Sequence, residues 1–313
     1  MIIAGAGPIG LACAISAKRR GLDPLVIDAG ALANSIVHYP INMTFFTTPE
    51  RLEIGNHPLV CAGQKATREE ALKYYRGVAR AEGLRVRTYT KLVDKNSVQT
   101  RLGRETISYD KLVLATGYFD SPNRLGVPGE EMPHVHHYFD DAHLSYGLDV
   151  VVIGGKNSAA EASLELFRGG AHVTLVHRHP TLGDSIKYWV RPDIENRIKE
   201  GSIAARFNAC VREITRTTVV IDHQGTREEI PAEGVFLLTG YHPDIDLMRT
   251  AGIHVDDVTL APELNMETFE TNVPNMFIAG GAIAGKKTGN IFIENGRFHG
   301  GKIIDALAQR LGD

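Results

Sequence analysis

At 313 residues the chain has room for two ordinary domains with full cores. Apolar residues make up 43% and charged residues 23%, and the net charge is −3, so neither nucleic acid nor an anionic membrane is expected as a partner. Three scattered cysteines, Cys13, Cys61 and Cys210, exclude a disulfide framework, and no apolar run approaches the roughly 18 residues of a membrane span. A soluble, cytoplasmic protein without a targeting segment is the expectation.

Residues 1–10 are a short β-branched run that ends in Gly5-Ala6-Gly7-Pro8-Ile9-Gly10, with the apolar stretch 11–17 behind it. The order G-x-G-x-x-G after a strand and before a helix places a helix N-terminus against a pyrophosphate. Gly5 lets the backbone turn, Gly7 leaves room for phosphates, and Gly10 lets helix and strand pack closely. Residues 24–27 form the next strand and lead into Asp28, about 20 residues past the turn, where a carboxylate bonds an adenosine ribose.

Residues 34–46 read as an irregular polar and aromatic loop, lying along the ligand outside the carboxyl ends of the strands. Leu72, Tyr75, Val78 and Ala79 give residues 71–82 helical spacing. Residues 84–87 read as a strand, and 98–108 as a small β excursion around Gly103. The strand 112–115 returns to the main sheet and runs into Thr116 and Gly117. Pro122, Gly126, Pro128 and Gly129 mark a first crossing between domains, and the second is placed after Pro243.

Residues 149–159 repeat strand, glycine turn and helix, residues 172–176 repeat the second strand, and residues 235–242 echo residues 111–118. Residues 276–281 are another strand ending in glycines, and a helix over 296–311 completes the chain. The fold class is therefore α/β with two Rossmann-like dinucleotide-binding domains. The first, 1–119 and 244–313, is interrupted by the second, 120–243. Two copies of one nucleotide-binding unit imply two dinucleotides.

The second turn departs from the first. Lys156 stands where the middle glycine normally sits, between Gly154 and Ala159, so a pyrophosphate there binds more loosely or is shifted. The strand that closed on Asp28 in the first copy closes here on His177-Arg178-His179. Arg178 can pair a 2′-phosphate bidentately and His177 can add a bond, whereas an acid would repel it. The first copy reads as the FAD site and the second as the NADPH site; a solvated polar turn at 177–179 is the plain alternative.

His134, His136, His137 and His143 lack the paired spacing of a zinc site, and no metal is assigned. No C-x-x-C is present. Cys13 lies three residues into the first helix, where a helix N-terminus could lower its pKa, but its apolar neighbours favour a packing role. Cys61 and Cys210 read as packing residues. With hydride carried by cofactors, the protein's task is to hold nicotinamide against flavin.

Further runs carry a resemblance: Asn34-Ser35-Ile36 with Tyr39-Pro40, Thr44-Phe45-Phe46, Leu52-Glu53-Ile54-Gly55 and His137-Tyr138-Phe139. Others are Gly154-Gly155-Lys156-Asn157-Ser158-Ala159, Ser185-Ile186-Lys187, Gly240-Tyr241-His242-Pro243-Asp244 and the closing run over residues 291–301. In these the whole chain resembles the thioredoxin-reductase-like flavoproteins and, more narrowly, the bacillithiol disulfide reductase family. The resemblance implies an FAD domain split by an NADPH domain, a homodimer, and a low-molecular-weight disulfide such as bacillithiol disulfide as acceptor. By position it implies that Gly5, Gly7, Pro8, Gly10, Asp28, Ser35, Val93, Thr116, Gly117, Gly280 and Gly281 hold FAD, with the main chain of Val93 at the adenine. Gly154, Gly155, Asn157, Ser158, His177 and Arg178 would hold NADPH.

Two positions depart from the resemblance. Gly281 stands where thioredoxin reductases carry an aspartate, and Ile9 stands where many members of the narrower family carry a cysteine. A ferredoxin–NADP reductase, a flavin monooxygenase and an NADPH-sensing flavoprotein that binds a protein partner stay open as other readings.

Overall fold

In the computed structural model, which describes residues 1–311, the chain divides into two compact units by its contacts. The first comprises Met1–His38, Asn42–Ser121 and the chain from Tyr241 onward; the second comprises Tyr39–Ile41 and Pro122–Gly240.

The first unit is built on a five-stranded parallel sheet in the order Met276–Ile278, Leu112–Leu114, Ile2–Ala4, Leu25–Ile27, Arg85–Arg87. Its strands alternate between two apolar faces. Ile2, Ala4, Leu112, Leu114, Met276 and Ile278 join one core cluster, while Ile3, Val113, Val26 and Phe277 join another. A parallel sheet covered on both sides needs such continuous apolar strands, and each fully buried Ile or Leu contributes about 1.5–3 kcal/mol. The helices Pro8–Arg19 and His299–Leu311 lie together on one face. Their approach is close because Gly300 has no side chain: a Cβ there would sit 2.6 Å from Cys13 Cα.

The second unit repeats the plan. Its parallel sheet runs Ala204–Arg206, His172–Val176, Asp149–Ile153, Gly234–Leu237, Val135–His136. Val150 and Val152 face one core cluster and Val151 and Ile153 the other. Each unit also carries a three-stranded antiparallel sheet. In the first it is Thr90–Asp94, Ser97–Thr100, Gly103–Thr106; in the second it is Ala209–Ile214, Thr218–His223, Thr226–Pro231.

Several elements differ from their sequence expectation for local reasons. The helix expected over 71–82 is Arg68–Ala81, because Thr67 and Glu70 form a reciprocal capping box that starts it a turn earlier. The loop expected over 34–46 contains the short helix Asn34–Val37. The β excursion begins at Thr90, and the last helix begins at His299 behind the separate short helix Ile293–Gly296. Among the described residues, no helix is long and apolar enough to cross a membrane.

Candidate functional site

The glycines of the first turn fall into two classes. Gly5 has φ +115°, and a Cβ on it would lie 2.2 Å from the Ala115 carbonyl oxygen; one on Gly10 would lie 1.9 Å from the Gly5 carbonyl oxygen. The chain's own backbone demands both. Gly7 is different: its φ is −72°, and a Cβ there would meet no protein atom within 4 Å. Gly7 is also the N-cap of Pro8–Arg19, a helix start that no side chain caps and that carries no acidic residue in its first turn. A bare position over an uncapped helix N-terminus is the cradle that a pyrophosphate fits.

The groups expected around this turn are placed beside it. Asp28 follows the strand Leu25–Ile27 and accepts hydrogen bonds from the Ala6 N–H (2.6 Å) and the Gly30 N–H (2.8 Å). Burial pushes its carboxyl up, these two bonds pull it back, and the nearby Asp120 carboxylate pushes it up again. Each oxygen keeps lone-pair capacity for a ribose hydroxyl. The Ala33 N–H donates to the Ala6 carbonyl, which ties the helix carrying Ser35 to the glycine turn. The strand register slips between Leu92 and Asp94, so that Val93 sits at a bulge without a paired residue on the neighbouring strand. Thr116 and Gly117 leave the sheet at the same end, with Gly117 at φ +67°.

Gly280 and Gly281 reach the turn from the other end of the sequence. A Cβ on Gly280 would fall 2.7 Å from Ile9 Cδ1, and one on Gly296 would fall 2.4 Å from the same atom. Ile9 therefore fills the space between two glycines. Gly281 faces an aromatic ring, since a Cβ there would lie 2.6 Å from Tyr118 Cδ1. The aspartate of thioredoxin reductases would fit at that position only if the Tyr118 ring moved.

Cys13, whose apolar neighbours favour packing over reactivity in the sequence, lies in a matching environment. It is 1% exposed, and burial pushes its pKa up to about 12. Desolvation outweighs any help from the helix N-terminus, so the thiol stays protonated at neutral pH. Iodoacetamide at pH 8 is expected to label the exposed Cys210 and the half-buried Cys61 while sparing the buried, protonated Cys13. Peptide mass spectrometry reads this directly, and fast labelling of Cys13 in the native protein would contradict it.

In the second unit, Gly154 meets the Leu238 carbonyl as Gly5 meets Ala115, with a built Cβ 2.5 Å from that oxygen. Lys156 is the N-cap of Asn157–Arg168, which again has no side-chain cap, and Ser158 is exposed in its first turn. Two residues make contacts that the sequence does not show. Asn157 donates from Nδ2 to the Ser185 carbonyl (2.9 Å) and accepts at Oδ1 from the Lys187 N–H (2.9 Å), so its amide clamps the loop beside the turn. The His177 ring lies over Gly155, where a Cβ would be 2.2 Å from Cε1, and burial lowers its pKa, helped by His179 and Arg178. His177 is thus a neutral donor or acceptor near pH 7 and brings no charge. Arg178 is exposed, and its Nε donates to His179 Nε2 at 3.2 Å. The charge expected for a 2′-phosphate rests on Arg178.

Three residues near the first turn escaped the sequence reading. Tyr118 follows Gly117 directly, Asp120 follows two residues later, and His299 sits in the closing run; none belongs to a spacing motif. Among the described residues, no three His, Cys, Asp or Glu side chains come together as metal ligands.

The model of the pyridine nucleotide-disulphide oxidoreductase family matches residues 2–280. Bacilliredoxin reductase of Bacillus subtilis is 43% identical, covering 99% of this chain and 97% of its own length. The solved bacillithiol disulfide reductase of Bacillus cereus superposes with a TM-score of 0.94 at 42% identity, covering 99% of this chain and 98% of its own. A ferredoxin–NADP reductase of Ignicoccus hospitalis is 30% identical over 89% of this chain and 88% of its own length. Whole-length likeness at this level, on a chain with two glycine turns at the ends of two parallel sheets, is likeness of family. The chain belongs to the pyridine nucleotide-disulphide oxidoreductases and, within them, to the flavoprotein reductases of the bacillithiol disulfide reductase family.

Proposed function

We propose that the protein uses NADPH to reduce a low-molecular-weight disulfide, bacillithiol disulfide being the first candidate, through FAD held at the first glycine turn. The observation that carries this reading is the likeness to bacilliredoxin reductase over 99% of the chain. The chemistry FAD would supply there when bound is two-electron hydride transfer, for an overall balance in which NADPH, a proton and one disulfide give NADP⁺ and two thiols.

In this reading the FAD domain is 1–119 with 244–313, and the NADPH domain is 120–243. Gly5, Gly7, Pro8 and Gly10 present the helix N-terminus to the FAD pyrophosphate, Asp28 takes the ribose, and the main chain of Val93 meets the adenine. Ser35, Thr116, Gly117, Gly280 and Gly281 line the remainder. Gly154, Gly155 and Ser158 receive the second pyrophosphate, with Arg178 at the 2′-phosphate and His177 packed over the turn. Asn157 acts one step back, by holding residues 185–187 in place. With Ile9 and the protonated Cys13 at the first turn, no thiol relay is built there, and the substrate disulfide has to meet the flavin itself.

The test is anaerobic. The yellow protein should be bleached by NADPH much faster than by NADH, and adding bacillithiol disulfide should restore the oxidised flavin spectrum promptly. Flavin that stays reduced with the disulfide but reoxidises on adding ferredoxin would support the second reading. That reading is favoured by the 30% identity to a ferredoxin–NADP reductase and by the missing relay thiol.

A further inference from the structure

The closing helix starts on a buried histidine that the cofactor assignments do not use. His299 is 7% exposed, and its ring stacks on Phe269 with centroids 4.2 Å apart and planes at 19°. Its Nδ1 accepts a hydrogen bond from the Gly280 N–H at 3.0 Å. An imidazole that accepts at Nδ1 carries its proton on Nε2, so the bond selects both the neutral form and the tautomer. Gly280 is buried, stands at φ +70°, and has Ile9 against its Cα face. The next residue, Gly300, lets the same helix close on Cys13. His299 therefore stands where the closing helix, the Gly280 corner and the first glycine turn meet.

We infer that His299 is a positioning residue for the flavin, holding the Gly280–Gly281 corner through its Nδ1 acceptor. The inference rests on the reading of the first unit as the FAD site. Without the acceptor, the Gly280 N–H is a buried donor with no partner, and the corner relaxes until that N–H finds water. Flavin binding must then reverse the relaxation, and affinity falls. The environment keeps the acceptor available: burial and the Lys302 ammonium hold the His299 pKa down to about 4. Lys302 is the charged neighbour that enters this shift; Phe269 and Gly280, on the other elements against the ring, carry no charge. Protonation would turn Nδ1 from acceptor into donor and set two N–H groups against each other.

The experiment compares wild type, His299→Asn and His299→Leu by FAD affinity, measured as flavin fluorescence quenching on reconstitution of the apoprotein, with folding checked separately by circular dichroism. Asparagine offers Oδ1 near the place of Nδ1; leucine fills space but accepts nothing. His299→Leu should bind FAD about tenfold more weakly or worse, the effect of one orphaned buried donor. His299→Asn should stay within about threefold of wild type. A structural role alone would not produce a second signature: as pH falls through about 4, wild type should lose flavin more steeply than His299→Asn, the titration of Asp28 being common to both. Full affinity in His299→Leu, or equal losses in both variants, would overturn the inference while leaving the FAD reading intact. A wild-type protein that binds no FAD would take both down.

Discussion

Gly10→Val is expected to leave the first unit unfolded and the protein colourless, whereas Gly7→Ala should melt like the flavin-free wild type and lose only its flavin. The two glycines are three residues apart in one turn, yet their surroundings are opposite. A Cβ on Gly10 would lie 1.9 Å from the Gly5 carbonyl oxygen and 3.3 Å from the Ala115 Cβ. The nearest obstacle is backbone at the point where strand and helix meet, and it cannot swing aside as a side chain would. Moving the helix start away would open the contact between Pro8–Arg19 and the sheet that buries Leu11, Ala14 and Ile15. Overpacking a well-packed site costs about 1–3 kcal/mol where side chains can adjust, and more where only backbone can move; total stabilities are about 5–15 kcal/mol. Gly7, by contrast, faces empty space, and a methyl group there strikes nothing until a pyrophosphate arrives. Thermal melting followed by circular dichroism, with absorbance at the flavin band, separates the two outcomes. A Gly10→Val protein that melts with wild type would show that the turn does not hold the helix where it is described.

Gly281→Asp, which installs the aspartate of thioredoxin reductases, should weaken flavin binding instead of improving it. The new Cβ would start 2.6 Å from Tyr118 Cδ1 and 2.7 Å from Cε1, on a ring whose phenol is buried enough for its pKa to be pushed up. The ring would have to leave its place beside Gly117, and the carboxylate would enter a partly desolvated site. A loss of about 1–3 kcal/mol, roughly 5- to 150-fold in FAD affinity, is expected. Trimming the obstacle should rescue it: Gly281→Asp with Tyr118→Ala should bind FAD more tightly than Gly281→Asp alone, a non-additivity expected only of residues in contact. Titration of each apoprotein with FAD gives the cycle. Strictly additive losses would place Tyr118 elsewhere.

Much of this was legible in the residues themselves, wherever a short-range rule carried the information. Ile2, Ile3 and Ala4 announce a strand buried on two faces, and Gly5, Gly7 and Gly10 announce the turn, because each obeys a spacing that local geometry enforces. The repeat at residues 149–159 was visible for the same reason. The earlier start of the helix at Arg68 was also within reach, since Thr67 and Glu70 spell a capping box. Contacts between distant segments were not. The facing of Gly281 by Tyr118 joins positions far apart in the chain, and so does the bond from Gly280 to His299, which the sequence shows only as a histidine in a glycine-rich run. Asn157 is a cofactor ligand by resemblance, and its bonds to Ser185 and Lys187 lie nearly thirty residues on, where no local pattern shows them. At Cys13 the apolar neighbours already outweigh helix position in favour of packing, and the burial of the thiol agrees.

Ile9 also bears on durability. Enzymes that place a thiolate beside a flavin expose it to peroxide, which carries cysteine through sulfenic to sulfinic and sulfonic acids, the last steps beyond ordinary repair. A branched hydrocarbon seated between Gly280 and Gly296 has no such ladder to climb, and the sulfur one helical turn away is sealed from oxidants by the closing helix at Gly300. A reductase built this way would give up a covalent handle on its substrate and keep a centre that oxidative stress leaves chemically unchanged.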